Sequence, residues 1–380
     1  MKHLILTATA GEGHNSIAYA VKAYIKEFYP EDEVEVMDIY KPEHPIFAWI
    51  INDLHFFLLK VFPRLNRLSY KMYYEAKPSP YKNMSIECGK LAKKKVLKYL
   101  EENKVDSIFC VHTYSSGLIS HFIQKDLIDK NIKLVTTIPD FSIHADGELN
   151  KIFDYVITID EGIHDFLVNK KGLIRENLYP LGLPVHPKYN LELDKEEIYQ
   201  EMNITPNKFG VLIQTGGVGT GNNLTILKHL LKCKNFENIN LYIANGTRKK
   251  TKEKIDSFIK KHNLKNVYNY GFTMDVHKLM EISDVMIGKL GALSVSEALL
   301  KETPIIVPKK PPYHEYWNML YLLERNVIVH ANTYQDLVPI IDDLFNNEEK
   351  INELKLNMSK MKKPEATKQI VELLRKKDKH

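Results

Sequence analysis

The sequence predicts an α/β protein of two halves, each a parallel sheet covered by helices on both faces. Three observations carry this expectation. Short runs rich in Val, Ile, Leu and Phe alternate with amphipathic helical patterns from end to end, the rhythm of parallel strands joined by crossover helices. The 380 residues exceed what one ordinary core organises and suit two domains of common size. A seam marked by proline and glycine, Gly182-Leu183-Pro184-Val185-His186-Pro187, divides the strands into two sets.

In the first half, His3–Thr9, Glu33–Ile39, Ser107–Val111, Lys133–Ile138 and Tyr155–Ile159 read as strands. Helical patterns fall over Ile17–Phe28, Ser85–Leu100 and Ser115–Ile128. In the second half the strands are Phe209–Gln214, Asn240–Ala244, Val267–Tyr270, Asp284–Ile287 and Pro304–Val307, with helices over Leu224–Lys232 and Leu293–Leu300. A Lys-rich helical stretch follows from Glu348 to Lys377. The expected domains are 1–185, 186–360 and a C-terminal helix within 361–380 that packs back on the first domain.

Apolar residues make up 44% and charged residues 27%, the balance of a globular protein rather than a disordered or fibrous one. Cys88, Cys110 and Cys233 lie far apart with no C-x-x-C pair, which argues against a disulfide framework or zinc site and fits a reducing compartment. The opening Met1–Thr7 is too short for a signal sequence and reads as a buried strand. No window approaches the roughly 20 apolar residues of a spanning helix. The net charge of +5 is unevenly placed: 13 Lys/Arg stand against 6 Asp/Glu from Lys41 to Lys104. Phe47, Trp49, Phe56, Phe57, Phe62, Tyr70, Tyr73 and Tyr74 share that segment. Basic residues interleaved with aromatics suit an anionic membrane interface, although a helical pair packed on its own domain has the same composition. The basic residues match no nucleic-acid motif, so no nucleic-acid partner is expected.

Chemistry is expected in the loops that follow strands. The first strand runs into Ala8-Thr9-Ala10-Gly11-Glu12-Gly13-His14 and then a helix. The two glycines permit close backbone approach, and the helix start offers N–H groups to negative charge. His14 suits a general base near neutral pH, though a histidine there can equally cap or pack on the helix. Asp38 lies where a dinucleotide-binding acid would, but the third glycine of that fingerprint is missing. Strand Phe209–Gln214 leads into Thr215-Gly216-Gly217-Val218-Gly219-Thr220-Gly221, with four glycines in six residues. Without G-K-[ST] this is no P-loop, yet it fits a phosphate turn. Lys289-Leu290-Gly291-Ala292 then precedes a helix bearing Glu297, whose carboxylate can accept both hydroxyls of a ribose diol. The run from Pro304 to Asn318 adds His314, Glu315 and Asn318 as hydroxyl partners. No D-x-D, H-E-x-x-H or histidine cluster appears, so neither metal nor cofactor is expected.

These motifs, in this order, resemble the monogalactosyldiacylglycerol synthase and processive diacylglycerol glucosyltransferase family. They are Gly11-Glu12-Gly13-His14, Asp140 with His144, Gly182–Val185, Gly216–Gly221 and Lys289–Asn318. The resemblance spans nearly the whole chain. It implies a GT-B fold of two Rossmann-like domains facing a cleft, of the glycosyltransferase family 28 type, with acceptor in the first half and UDP-sugar in the second. It implies an inverting, metal-independent transfer of glucose or galactose from a UDP-hexose to a membrane lipid, diacylglycerol above all, at the cytoplasmic face of the cell membrane. By position, His14 or Asp140 would take the acceptor's proton, with Gly11, Gly13 and His144 beside the acceptor. Gly216, Gly217, Gly219 and Thr220 would lie at the diphosphate, Phe272 and Met274 at the uracil, and Glu297 at the ribose. Lys289, Gly291, His314, Glu315 and Asn318 complete the donor set, while Trp49, Phe56, Phe57, Lys60, Arg64 and Arg67 match the membrane contact.

The chain departs from the family pattern at three places. It has His186 for Arg, Leu290 and Ala292 in place of Pro and Gly, and Tyr313-His314 in place of Gly-Gln. A UDP-N-acetylhexosamine 2-epimerase and a non-catalytic nucleotide-sugar sensor are the competing readings. The epimerase has no use for a basic aromatic belt and needs further carboxylates around the sugar.

Overall fold

Parallel strands buried on both faces read as unbroken apolar runs, and such runs build both sheets here. The computed structural model describes residues 1–8, 12–41, 80–141, 151–216, 222–311 and 313–376. Two compact units result, Met1–Pro187 together with Lys363–His380, and Lys188–Lys362.

The first unit holds β1 (Lys2–Thr7), β2 (Glu33–Asp38), β3 (Ser107–Cys110), β4 (Lys133–Thr137), β5 (Tyr155–Ile157) and β6 (Leu178–Tyr179). They pair in the order β2-β1-β3-β4-β5-β6, all parallel. The chain therefore leaves β1 for β2 on one side and returns to β3 on the other. That reversal between β1 and β3 opens a crevice at the carboxyl ends of the strands. Helix α1 (Glu12–Phe28) follows β1 and α4 (Thr113–Gln124) follows β3, with α2 (Pro80–Lys90) and α3 (Lys93–Glu102) between β2 and β3.

The second unit repeats the plan with β7 (Phe209–Gln214), β8 (Ile239–Ala244), β9 (Val267–Tyr270), β10 (Val285–Gly288), β11 (Ile305–Pro308) and β12 (Ile328–Ala331). Their order, β12-β11-β10-β7-β8-β9, puts the reversal between β7 and β10. A continuous aliphatic core packs on one face of each sheet. Leu4, Leu6, Ile108, Leu134 and Val156 lie in the first, and Val211, Ile213, Leu241, Ile243, Val285 and Ile306 in the second. Each such buried side chain contributes roughly 1.5–3 kcal/mol.

The strands fall within about two residues of the sequence reading, and two of them, β6 and β12, have no counterpart in it. Both are edge strands. β6 is too short to show a period, and β12 carries His330 inside its run. The helix expected over Ser85–Leu100 is two helices. α2 crosses α4 so closely that a Cβ on Gly89 would meet the Tyr114 carbonyl oxygen at 2.5 Å, and one on Gly117 would meet the Ser85 oxygen at 2.7 Å. One glycine on each helix, set against the other helix's backbone, allows this crossing, and the chain turns after Lys90 before re-entering helix. The helical stretch from Glu348 to Lys377 is built as two helices, Glu348–Met361 and Ala366–Arg375, because Pro364 cannot donate within a helix interior.

The second of these, Ala366–Arg375, belongs to the first unit and packs on α1. Arg375 places its guanidinium 3.6 Å from the Tyr29 ring and its Nε 2.7 Å from the carboxylate of Asp32. The same buried carboxylate accepts the Met1 ammonium at 2.6 Å. The unit boundary falls after Pro187, at the end of the seam marked by proline and glycine.

Candidate active site

The reversal between β1 and β3 brings His14 to Val111. His14 sits in the first turn of α1 and its Nδ1 donates to the Val111 carbonyl at 2.6 Å. A ring that donates from Nδ1 keeps its basic lone pair on Nε2, the tautomer a general base requires. The His112 ring stands edge-on to it, with centroids 4.6 Å apart. His112 is nearly buried and caps α4: its Nδ1 accepts from the Tyr114 N–H at 3.1 Å, while its own N–H donates to Ser115 Oγ at 3.3 Å. His112 was not singled out in the sequence. Its position just after a central strand is the signal that marks it.

Asp140 follows β4, the neighbour of β3, and is half-buried on the same sheet edge. Gly13 is an exposed residue of α1. Gly11, His144 and the membrane-contact set Trp49, Phe56, Phe57, Lys60, Arg64 and Arg67 lie outside the described residues. Asp38 caps its own turn, accepting from the Tyr40 and Lys41 N–H groups.

The second reversal gathers the donor candidates. Gly216 ends β7's extension with φ +106°, a conformation that L side chains rarely adopt, and a Cβ there would meet nothing within 4 Å. Gly217, Gly219 and Thr220 lie outside the described residues. The loop's two ends are joined by Thr215 Oγ1, which donates to Asn223 Oδ1 at 2.5 Å. Asn223 donates on to Asn245 at 3.0 Å, and Asn245 to Asn269, which reaches Asp256 at 2.6 Å. A ladder of amides thus runs beneath the carboxyl ends of β7, β8 and β9. The first unit has the same staple, Thr7 Oγ1 to Asn15 Oδ1 at 3.0 Å, across its own glycine loop. Both pairs are eight residues apart, a spacing that the sequence displays but that has meaning only once the loops are folded.

The helices that follow the central strands differ in how they are capped. α4 is capped by His112 and Ser115. The helices that follow β7 and β10, Asn223–Leu230 and Ala292–Leu300, have no side-chain cap. Their first N–H groups face the crevice, where the helix dipoles favour an anion.

Beside them, Leu290 N–H donates to Glu315 Oε2 at 3.3 Å, and Asn318 Nδ2 donates to the Leu290 carbonyl at 3.4 Å. Glu315 and Asn318, both buried, thus clasp the backbone between Lys289 and Gly291. Lys289 is half-buried, and Gly291 precedes the uncapped helix. His314 is a helical residue, and its side chain is outside the described ones.

Glu297 lies on the helix after β10. Burial raises its pKa from 4.5 to about 7, against the opposing pull of a hydrogen bond from Tyr189 and of the Lys188 ammonium. Phe272 and Met274 are 59% and 62% exposed, large apolar side chains left in water beside a polar edge, as a stacking surface for a base would be.

A Ser–His–Asp arrangement also exists, with His3 Nδ1 2.7 Å from Ser107 Oγ and Nε2 3.2 Å from Asp32. All three are fully buried at the opposite, amino edge of the sheet, so it serves the fold and not a substrate. Among the described residues no three His, Cys, Asp or Glu side chains gather around a metal position. No described helix is long and apolar enough to cross a membrane.

The sequence profile of the monogalactosyldiacylglycerol (MGDG) synthase family matches residues 14–185, and that of the glycosyltransferase family 28 C-terminal domain matches residues 215–371. The chain belongs to this family of glycosyltransferases. The chain is 24% identical to a processive diacylglycerol beta-glucosyltransferase of Bacillus licheniformis, over 94% of this chain and 90% of that one. One from Staphylococcus haemolyticus is 24% identical, over 96% and 90%. Among solved structures, the Anabaena HepE protein in complex with UDP superposes with TM-score 0.56 at 16% identity, covering 99% of this chain and all of that one. Acinetobacter baumannii MurG gives 0.61 at 14%, covering 99% of each. The Neisseria meningitidis UDP-GlcNAc 2-epimerase bound to UDP-GlcNAc gives 0.63 at 14%, covering 98% and 99%. These likenesses establish the GT-B fold, which transferases and epimerases share. The profile match makes the chain a transferase.

Proposed function

We propose that this enzyme moves glucose or galactose from a UDP-sugar to diacylglycerol at a membrane surface, with inversion at the anomeric carbon and without a metal. The observation that carries the reading is the pairing of functions at the two strand reversals: a histidine held in its basic tautomer in one unit, and two uncapped helix N-termini in the other.

The acceptor hydroxyl oxygen bonds to the anomeric carbon as the bond to the UDP oxygen breaks. His14 Nε2 takes the hydroxyl proton, with Asp140 as the alternative base. The departing diphosphate gains negative charge, which the N-termini of Asn223–Leu230 and Ala292–Leu300 stabilise together with the turn at Gly216. Glu297 accepts the ribose hydroxyls, and Phe272 with Met274 flanks the uracil. The basic aromatic segment between Lys41 and Lys104 supplies the membrane contact.

The test is UDP release from a panel of UDP-sugars, with and without diacylglycerol in anionic vesicles, followed by identification of the product. Release that depends on the lipid and yields a glycosyl-diacylglycerol supports the reading and names the sugar. Interconversion of the donor sugar with no lipid present would make the chain an epimerase, and donor binding without turnover a sensor.

A further inference from the structure

Where the chain enters the second unit, the short turn Pro187–Asn190 lays Lys188 and Tyr189 against the donor residues. Tyr189 is buried, and its phenol lies beside the Glu297 carboxylate, whose ionised form it favours. Its ring stands 5.8 Å from that of His277. Lys188 donates from Nζ to the Met274 carbonyl at 2.5 Å, and its positive charge faces Glu297. Two adjacent residues therefore grip both elements assigned to the nucleotide: the carboxylate for the ribose and the backbone that carries Phe272 and Met274.

We propose that Tyr189 is a positioning residue for donor binding, which orients the Glu297 carboxylate toward the ribose hydroxyls, with Lys188 holding the neighbouring base-binding segment. The proposal rests on the assignment of Glu297 to the ribose. A carboxylate offers about four lone-pair sites, and one phenol O–H leaves enough of them for a vicinal diol. The phenol can only donate to an ionised carboxylate, so it favours the form able to accept both ribose hydroxyls. Tyr189 itself stays neutral, because burial and the nearby Glu297 charge raise its pKa well above the usual value.

The charges around the pair are of both signs. Lys188 faces Glu297 and Asp275, and burial lowers its pKa. His277, on the helix Val276–Glu281, faces Lys188, Asp275, Lys301 and Lys278; burial lowers its pKa to about 4 and leaves it neutral near pH 7. Of the groups facing Glu297 in this cluster, Tyr189 and Lys188 both favour its ionised form.

The experiment is calorimetric titration of the full chain with UDP and with 2′,3′-dideoxy-UDP between pH 6 and pH 9. The wild type and Tyr189→Phe are compared, with thermal unfolding as a folding control. Wild type binds UDP more tightly than the dideoxy compound, and the preference grows as pH rises through the ionisation of Glu297. Tyr189→Phe weakens UDP by roughly ten- to a hundredfold, the loss expected for one hydrogen bond to a charged group. It leaves dideoxy-UDP nearly unchanged and moves the pH midpoint of the preference upward. Lys188→Gln keeps the phenol and moves that midpoint in the same direction by less, so the proposal stays testable if Tyr189→Phe does not fold.

A wild type that binds both nucleotides equally removes Glu297 from the ribose and the proposal with it. A wild type that prefers UDP, beside a Tyr189→Phe variant with the same preference and the same midpoint, overturns the proposal alone. Equal weakening of both nucleotides makes Tyr189 merely structural and also overturns it.

Discussion

Replacing Glu297 by Gln should stabilise the folded protein in neutral and alkaline solution while weakening donor binding. Burial raises the carboxyl from 4.5 to about 7, with the Tyr189 hydrogen bond and Lys188 offsetting part of the effect. A tenfold change in an acid's ionisation constant corresponds to about 1.4 kcal/mol, so ionised Glu297 burdens the native state by about 3 kcal/mol above pH 7. The sign follows from proton counts. Between the unfolded and folded pKa values the native state holds the extra proton, so stability falls as pH rises through that window and then levels off. A Gln side chain has the same shape, still accepts from the Tyr189 hydroxyl, and has no proton to lose. Urea unfolding of both proteins from about pH 4.5 to about pH 8 should therefore give curves that diverge by about 3 kcal/mol, with the variant more stable at the alkaline end. Curves that stay parallel within the extrapolation error of the method would refute the reasoning, because they would mean that Glu297 ionises as readily folded as unfolded.

Other consequences follow from the same geometry. His14→Ala should lower turnover roughly 10²–10⁴-fold with little change in donor affinity if Nε2 is the base, and near-normal turnover in steady-state assays would shift that role to Asp140. Asn223→Ala breaks the amide ladder and strands the Thr215 hydroxyl and the Asn245 amide, both buried; a stability loss of about 1–3 kcal/mol per stranded group and a raised donor KM are expected, and an unchanged urea midpoint would contradict the ladder's role. Gly216→Ala meets no steric obstacle but is forced to a φ of +106°, so it should cost about 1–3 kcal/mol and weaken UDP binding, measurable by denaturation and titration. Gly117→Ala pushes a methyl into the Ser85 backbone where two helices cross, so a loss of about 1–3 kcal/mol is expected and an unaltered thermal midpoint would deny the close contact.

Much of this architecture could be read from the chain because a fully buried parallel strand has a local signature. Val211-Leu212-Ile213 is apolar without interruption and bounded by turns, and its strand ends coincide with the reading. β12 escaped because His330 interrupts a run that is only four residues long. Helix ends were less legible where tertiary contact decides them. Gly89 weakens a helix only slightly on its own, and its purpose appears when the Tyr114 carbonyl and Leu118 of the crossing helix are seen to press against it. The site divides the same way. His14, Gly216 and Glu297 stand in motifs of a few residues, so the sequence could nominate them. Tyr189 belongs to no motif, and its partner Glu297 comes from a helix beyond β10. His112 and the Asn223–Asn245–Asn269 ladder likewise acquire meaning only from strand order, which sets side by side the ends of strands far apart in sequence.

The central claim is transfer of a hexose to a lipid hydroxyl with inversion, and the linkage of the product tests it most directly. UDP-glucose and UDP-galactose carry the sugar in α linkage, so the enzyme incubated with each donor and diacylglycerol vesicles should yield a β-glycosyl-diacylglycerol, visible in the anomeric proton coupling of the purified lipid. An α-glycoside would contradict the single displacement proposed for His14 or Asp140. Free hexose alone, with no glycolipid formed, would contradict the lipid acceptor.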